Sequence, residues 1–69
     1  MMIGELNMII AFSNGITITL DDDKIQECTT YEDGETILIN YVVDNILYFY
    51  RVKVSRNSFT LCYVRDLDL

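Results

Sequence analysis

The sequence predicts a single small all-β domain, residues 1–69, built from antiparallel hairpins. Turn-forming residues recur about every ten positions, and β-branched and aromatic runs separate them. The 69 residues suffice for one domain, and no proline interrupts the runs. We expect five to six strands that close as a small sandwich or barrel, and a short helical turn over residues 2–7. The expected strands are residues 8–12, 16–20, 25–31, 36–43, 46–54 and 58–64.

The last three expected strands share one apolar face. Side chains directly opposite each other in an antiparallel pair lie on the same face, so each turn sets a register. Two-residue turns at residues 44–45 and 56–57 place Val52 opposite Ile37 on one side and Leu61 on the other. Both turns therefore predict one continuous core face, formed by Ile37, Ile39, Tyr41, Val43, Ile46, Tyr48, Tyr50, Val52, Val54, Phe59, Leu61 and Tyr63.

The opposite side of these three strands, which we call the reverse face, is apolar near residues 44–45. At its other end Arg51 and Lys53 make it cationic. Either the N-terminal hairpin folds over the apolar part, or another molecule covers it, as in a symmetric homodimer. The candidate self-association residues in this part are Leu38, Val42, Leu47, Phe49 and Val64.

The N-terminal hairpin is predicted to turn through three residues. A loop over residues 13–15, with Gly15 in the left-handed conformation, aligns Phe12 with Ile16 and gives one apolar and one Thr-containing face. The next strand, residues 25–31, has no clean alternation. Its Glu27 and its threonines are typical of an exposed edge strand that resists aggregation.

The small size of the chain limits its core. A domain of this length buries only about 60% of the surface that its unfolded chain exposes, and its core rarely supplies more than about 3–5 kcal/mol. Yet 51% of the residues are apolar. We therefore expect part of the apolar surface to be covered by a protein target or by a second copy of the chain.

The residue types exclude much chemistry. Histidine is absent, which removes the usual general base and metal ligand. Cys28 and Cys62 are too few for a zinc site. We expect them to be reduced and to act as small apolar side chains, with a disulfide between them as the alternative. No secretory signal or membrane-spanning run is recognised, so we expect a cytoplasmic protein without membrane contact, enzymatic activity, cofactor or metal.

Carboxylates dominate the first 45 residues, where Lys24 is the only cation, and the formal net charge is −6. An acidic surface repels phosphates and attracts basic surfaces, so direct nucleic-acid binding is not expected. The densest cluster, residues 21–23, lacks the alternating ligands and central glycine of a calcium loop. Glu32 and Glu35 lie on one turn without a cleft, unlike the paired acids of glycoside hydrolases.

Residues 48–53 mix aromatic and cationic side chains, as binders of single-stranded nucleic acid do. Strand alternation weakens this interpretation. Tyr48 and Tyr50 point to the core face, which leaves Phe49 beside the cations on the reverse face.

These observations predict a non-enzymatic protein that covers a basic surface on a protein target. Its composition, rich in Ile and Asn, is compatible with a short gene from an AT-rich genome such as that of a phage or mobile element. Small inhibitors or decoys of this general kind include anti-CRISPR proteins and nucleic-acid mimics, an analogy of class alone. The alternatives are a self-associating structural module and a small single-strand nucleic-acid-binding barrel. The candidate partner-binding residues are Asp21, Asp22, Asp23, Glu32, Asp33, Glu35 and Asp44.

Overall fold

The computed structural model describes residues 7–68 and confirms an all-β fold. Its six strands are β1 (Asn7–Ala11), β2 (Thr17–Asp21), β3 (Ile25–Thr30), β4 (Thr36–Val43), β5 (Ile46–Lys53) and β6 (Ser58–Asp66). β1 and β2 form a two-stranded antiparallel sheet, and the others form an antiparallel sheet in the order β3-β4-β5-β6. The helical turn expected over residues 2–7 lies outside the described residues except for Asn7, which begins β1.

The N-terminal hairpin has the predicted three-residue loop. Gly15 adopts a φ of 91°, which is strained for residues with a Cβ. The Phe12 amide donates to the Ile16 carbonyl over 2.8 Å, and the Ile16 amide donates to Asn14 Oδ1 over 3.1 Å. The register then continues through Ile10 opposite Ile18. The prediction that one face of this hairpin is apolar is therefore confirmed.

The turn between β4 and β5 is also as predicted. Asp44 and Asn45 both have positive φ, 51° and 65°, as a two-residue turn of type I′ requires. Val43 pairs with Ile46, and the ladder runs without interruption to Thr36 opposite Lys53. These two strands form the centre of the larger sheet.

The turn between β5 and β6 is longer than predicted. Val54–Arg56 form a 3₁₀ turn, and Asn57 follows in the left-handed conformation with φ of 52°. Val52 therefore lies opposite Phe59 and not opposite Leu61. A two-residue type I′ turn needs positive φ at both positions, which is unfavourable for arginine. The shift of two positions leaves Phe59 and Leu61 on the core face.

A β-bulge at Cys62 changes the second half of β6. Leu61 pairs with Tyr50, and Tyr63 pairs with the adjacent Phe49, so Cys62 is an extra residue. An extra residue reverses the alternation of the side chains beyond it. Tyr63 therefore lies on the reverse face beside Phe49, and Val64 lies on the core side. The predicted faces of Tyr63 and Val64 are wrong, because a pattern of period two does not reveal an inserted residue.

The hairpin of β1 and β2 packs on the core face of the larger sheet, and not on the reverse face as one expectation held. The core face offers only aliphatic and tyrosine side chains along β4 and β5, whereas Asn40 and Arg51 interrupt the reverse face. At the two ends of the hairpin, hydrogen bonds join it to the larger sheet. Ser13 Oγ donates to Asn57 Oδ1 over 3.0 Å, and the Asp21 amide donates to the Tyr41 hydroxyl over 3.2 Å. The two sheets form a small open sandwich and no closed barrel. Its buried core consists of Ile10, Phe12, Leu20, Ile39 and Val52.

Strand β3 is an edge of the larger sheet, as predicted, and β6 is the other edge. All of β3 beyond Ile25 is exposed, and its register shifts between Ile25 and Glu27. A bulge and a charged residue both protect an edge strand from pairing with another chain.

Candidate functional site

The carboxylates singled out for partner binding lie at two opposite ends of the larger sheet. β3 begins beside Tyr41 and ends beside Ile37, so the turn before it and the turn after it are separated by the length of β4. Eight residues of extended strand span roughly 25 Å. Asp21, Asp22, Asp23 and Asp44 lie at one end, which we call the acidic end. Glu32, Asp33 and Glu35 lie at the other, which we call the turn end.

At the acidic end, the chain leaves β2 through a 3₁₀ turn over Asp22–Lys24. Lys24 Nζ lies 3.0 Å from Asp21 Oδ2, the one ion pair within residues 7–68. The hydrogen bond from Lys24 to Asp21, together with the attraction of that carboxylate, raises the pKa of Lys24. Asp22 and Asp23 are exposed beside this pair. They are therefore available to a partner.

The last residue of β6 and the segment after it add two carboxylates to the acidic end. The Leu67 amide donates to the Asn45 carbonyl over 3.0 Å, and Asn45 Nδ2 donates to Asp68. The Asp68 amide donates to Asp66 Oδ1 over 2.9 Å. Asp66 itself pairs with Ile46, next to the turn that holds Asp44. From here on the acidic end includes Asp66 and Asp68.

The sequence prediction missed Asp66 and Asp68 because it ended the last strand at residue 64. The length of β5 could have indicated that the last strand is longer. A central strand that begins at Ile46 needs a partner along its whole length, which extends β6 to Asp66.

The carboxylates of the turn end mainly support the fold. Asp33 Oδ1 accepts hydrogen bonds from the amides of Glu35 and Thr36, each over 3.0 Å, and Oδ2 accepts one from the Thr36 hydroxyl over 2.8 Å. These hydrogen bonds, that from the Glu35 amide first, lower the pKa of Asp33. Glu35 Oε2 accepts a hydrogen bond from Ser55 over 2.6 Å. Glu32 is exposed and accepts none of these hydrogen bonds, so it is left to a partner.

A shallow depression at the turn end, open to solvent, is lined by residues 30–33. Within residues 7–68, no three cysteine, aspartate or glutamate side chains are grouped so that they could hold a metal ion. The carboxylates of the acidic end are therefore spread over a surface and do not converge on one point.

The hairpin of β1 and β2 does not cover the reverse face. Phe49 stacks on Tyr63 with ring centroids 5.1 Å apart and an interplanar angle of 23°. Leu38, Val42 and Leu47 share this face and are half-buried. Because of the bulge, the candidate self-association patch loses Val64 and gains Tyr63. The same bulge places Arg65, opposite Leu47, on the face that carries Arg51 and Lys53.

The two cysteines lie on the two edge strands, Cys28 in β3 and Cys62 in β6, and both are free. Three strand spacings separate these edges, about 14 Å, which is twice the Cα separation that a disulfide can bridge. A disulfide within the chain is therefore excluded. Although Cys28 is exposed, partial loss of hydration raises the pKa of its thiol.

No family model, curated protein or solved structure gives a significant match to the chain. Among the described residues, no helix has the length and apolar character that crossing a membrane requires.

Proposed function

We propose that the protein is a non-enzymatic binding module whose acidic end covers a basic surface on a protein target. The observation that carries this proposal is the convergence of two turns and the end of β6 at one end of the sheet. They bring six carboxylates to this end, namely Asp21, Asp22, Asp23, Asp44, Asp66 and Asp68, and Lys24 pairs with Asp21 among them.

Electrostatics explains how such an end recognises its target. Carboxylates on one side of a small body create a negative potential that speeds encounter with a basic partner. Turns and a short 3₁₀ segment hold these groups on a rigid sheet, so little conformational entropy is lost on binding. A small inhibitor or decoy, cytoplasmic and of the kind that phages and mobile elements encode, is the biological role that fits this mode.

Affinity capture from source cells with matched charge variants tests the proposal. In the triple variant Asp22→Asn, Asp23→Asn and Asp44→Asn, three charges disappear from the acidic end, and asparagine still suits the positive φ at residue 44. The control variant is Glu27→Gln, Glu32→Gln and Glu35→Gln, which changes the net charge equally but keeps every carboxylate of the acidic end.

We expect the wild type and the control to retain the same basic protein, with retention that weakens as salt rises. The acidic-end variant should lose that protein. Equal retention by both variants, an acidic captured protein, or no specific capture by the wild type would each contradict the proposal.

A second candidate function is favoured by the reverse face. The Phe49–Tyr63 stack lies on the same face as Arg51, Lys53 and Arg65. Aromatic rings flanked by cations bind single-stranded nucleic acid through base stacking and phosphate contacts. Tyr63 is 50% exposed, so a base can reach its ring.

Titration with a fluorescent single-stranded oligonucleotide distinguishes this candidate. If it is correct, Tyr63→Ala should weaken binding by about 1–3 kcal/mol, the worth of one stacked base. Tyr31→Ala is the control, because Tyr31 is similarly exposed but follows the other edge strand. An absence of binding by the wild type at low salt would remove this candidate and leave the acidic-end proposal untouched.

A further inference from the structure

Strand β6 is a long edge strand whose bulge at Cys62 is not accompanied by a charged side chain over residues 58–64. Seven of its nine residues are exposed, and no described strand lies beyond it. Its apolar side chains include Leu61, 45% exposed, and Val64, 51% exposed. Unlike β3, it has no charged residue before Arg65. Long edges with apolar side chains are the usual sites of strand addition by another chain.

The ladder shows which backbone groups of β6 point outward. Val43 and Ile46 close a two-residue turn and bond to each other, so the alternate residues of β5 direct their amides and carbonyls to β6. Tyr63 and Arg65 are their partners and therefore face inward. The 3.0 Å bond from the Leu67 amide to Asn45 continues this alternation.

The residues of β6 with outward backbone groups are therefore Phe59 and Leu61 before the bulge, and Val64 and Asp66 after it. All four side chains lie on the core side of the sheet. Before the bulge at Cys62 the residues with outward backbone groups have odd numbers, and after it they have even numbers. When two β6 strands pair antiparallel, the outward residues of the first half of one strand can therefore lie opposite those of the second half of the other.

We propose that β6 pairs antiparallel with β6 of a second copy, with Leu61 of each chain opposite Val64 of the other. This register places all four outward residues opposite one another, since Phe59 then lies opposite Asp66. The two sheets join into one sheet of eight strands around a two-fold axis beside Cys62. The two exposed side chains Leu61 and Val64 cover each other across the junction.

Charge complementarity supports a second copy as the occupant. In this register Asp68 of one chain lies opposite Asn57 of the other, next to Arg56 in the same turn. Thr60 lies opposite Arg65, so no like charges face each other across the junction. The Asp68 carboxylate thus lies beside the cationic turn of the second copy.

The inference goes beyond the proposed function and does not rest on it. Pairing places Asp66 and Asp68 at the junction, but it leaves residues 21–24 and Asp44 free and places the two acidic ends at opposite ends of the dimer. Such a dimer presents two binding sites to its target.

Sedimentation equilibrium of the full chain tests the pairing. The mass should rise with protein concentration from 8.0 kDa towards twice that value. Val64→Lys should raise the dimer dissociation constant at least ~10-fold, because its ammonium would lie against Leu61 of the second copy. Ile9→Lys is the control, since Ile9 is also an exposed apolar strand residue, 64% exposed, but lies in the hairpin sheet.

Cross-linking tests the register. In a background with Cys28→Ser and Cys62→Ser, a Leu61→Cys chain mixed with a Val64→Cys chain should form a mixed disulfide on oxidation, because hydrogen-bonded antiparallel pairs have Cα atoms about 5.5 Å apart. Neither chain alone should cross-link efficiently. A wild type that is monomeric up to millimolar concentration, equal dimerisation of Val64→Lys and wild type, or cross-linking by Val64→Cys alone would overturn the proposal.

Discussion

At the scale of single residues, Asp33 shows how a carboxylate singled out for binding is needed by the fold. It accepts three hydrogen bonds within the turn between β3 and β4. Aspartate side chains in turns commonly accept hydrogen bonds from the amides two and three residues further along the chain. The sequence showed a turn rich in acids, but not which acid would bond to the backbone.

This role predicts a specific pH dependence. The pKa of Asp33 lies below its ordinary value of 3.8, so the charged carboxylate stabilises the folded state above that pH. The contribution is lost as the pH falls through the lowered pKa. In urea unfolding, the wild type should therefore be more stable than Asp33→Asn near neutral pH, and the difference should vanish in acid. A difference that stays constant from neutral to acidic pH would contradict this assignment; Glu32→Gln on the same turn is the control.

At Asn40, in contrast, we predict a substitution that increases stability. Its Oδ1 atom is buried without a hydrogen-bond partner, and its Nδ2 makes only a 3.4 Å bond to exposed Glu27. Valine suits a half-buried strand position better, so Asn40→Val should raise the free energy of unfolding by about 1 kcal/mol. Urea unfolding at neutral pH measures the change. Thr29→Val, an exposed substitution on the same face, should change stability much less, and equal effects would refute the explanation.

At the scale of elements, the bulge at Cys62 predicts that the fold tolerates the deletion of this residue. Leu61 and Tyr63 already lie opposite consecutive residues of β5, so deletion of Cys62 leaves every pair of the ladder in place. We expect the deletion variant to keep its circular dichroism spectrum and to lose no more than about 1 kcal/mol of stability.

Deletion of Arg51 is the control for this experiment. Arg51 is also exposed, but it lies in a central strand and pairs with Leu38 on one side and Thr60 on the other. Its loss moves one part of β5 to the opposite face and should unfold the protein. Unfolding of the Cys62 deletion to the same extent would show that the bulge is not an independent extra residue.

The elements also show what the sequence could predict. Two turns that require positive φ were recognisable from their residues. Gly15 and the Asp44-Asn45 pair predicted the registers of β1 with β2 and of β4 with β5 correctly. The β5–β6 turn also contains a residue with positive φ, Asn57, but one such residue did not reveal the length of the turn. The bulge at Cys62 had no signal of this kind, because it depends on how the whole of β6 bonds to β5. The acidic end was predicted in part: its loops were evident, but Asp66 joined it through strand pairing alone.

At the scale of the whole molecule, the fold has two thin layers and a small core. Only five apolar side chains are buried among the described residues, and Ile39 and Val52 alone have no exposed surface. Any partner that covers the β6 edge or the reverse face would add to the stability by mass action. The free energy of unfolding should therefore depend on protein concentration if the chain dimerises.

The small core makes the protein unusually sensitive to cavities. Ile39→Ala removes packing from the centre of both layers and should cost about 2–5 kcal/mol, as large-to-small core substitutions do. That cost approaches the total stability of about 3–5 kcal/mol that a core of this size provides, so the variant should be largely unfolded by circular dichroism at 25 °C. Ile39→Val should cost only about 0.5–1.5 kcal/mol and remain folded. Ile9→Ala, at an exposed position, should resemble the wild type; an Ile39→Ala variant that also does so would mean that the core lies elsewhere.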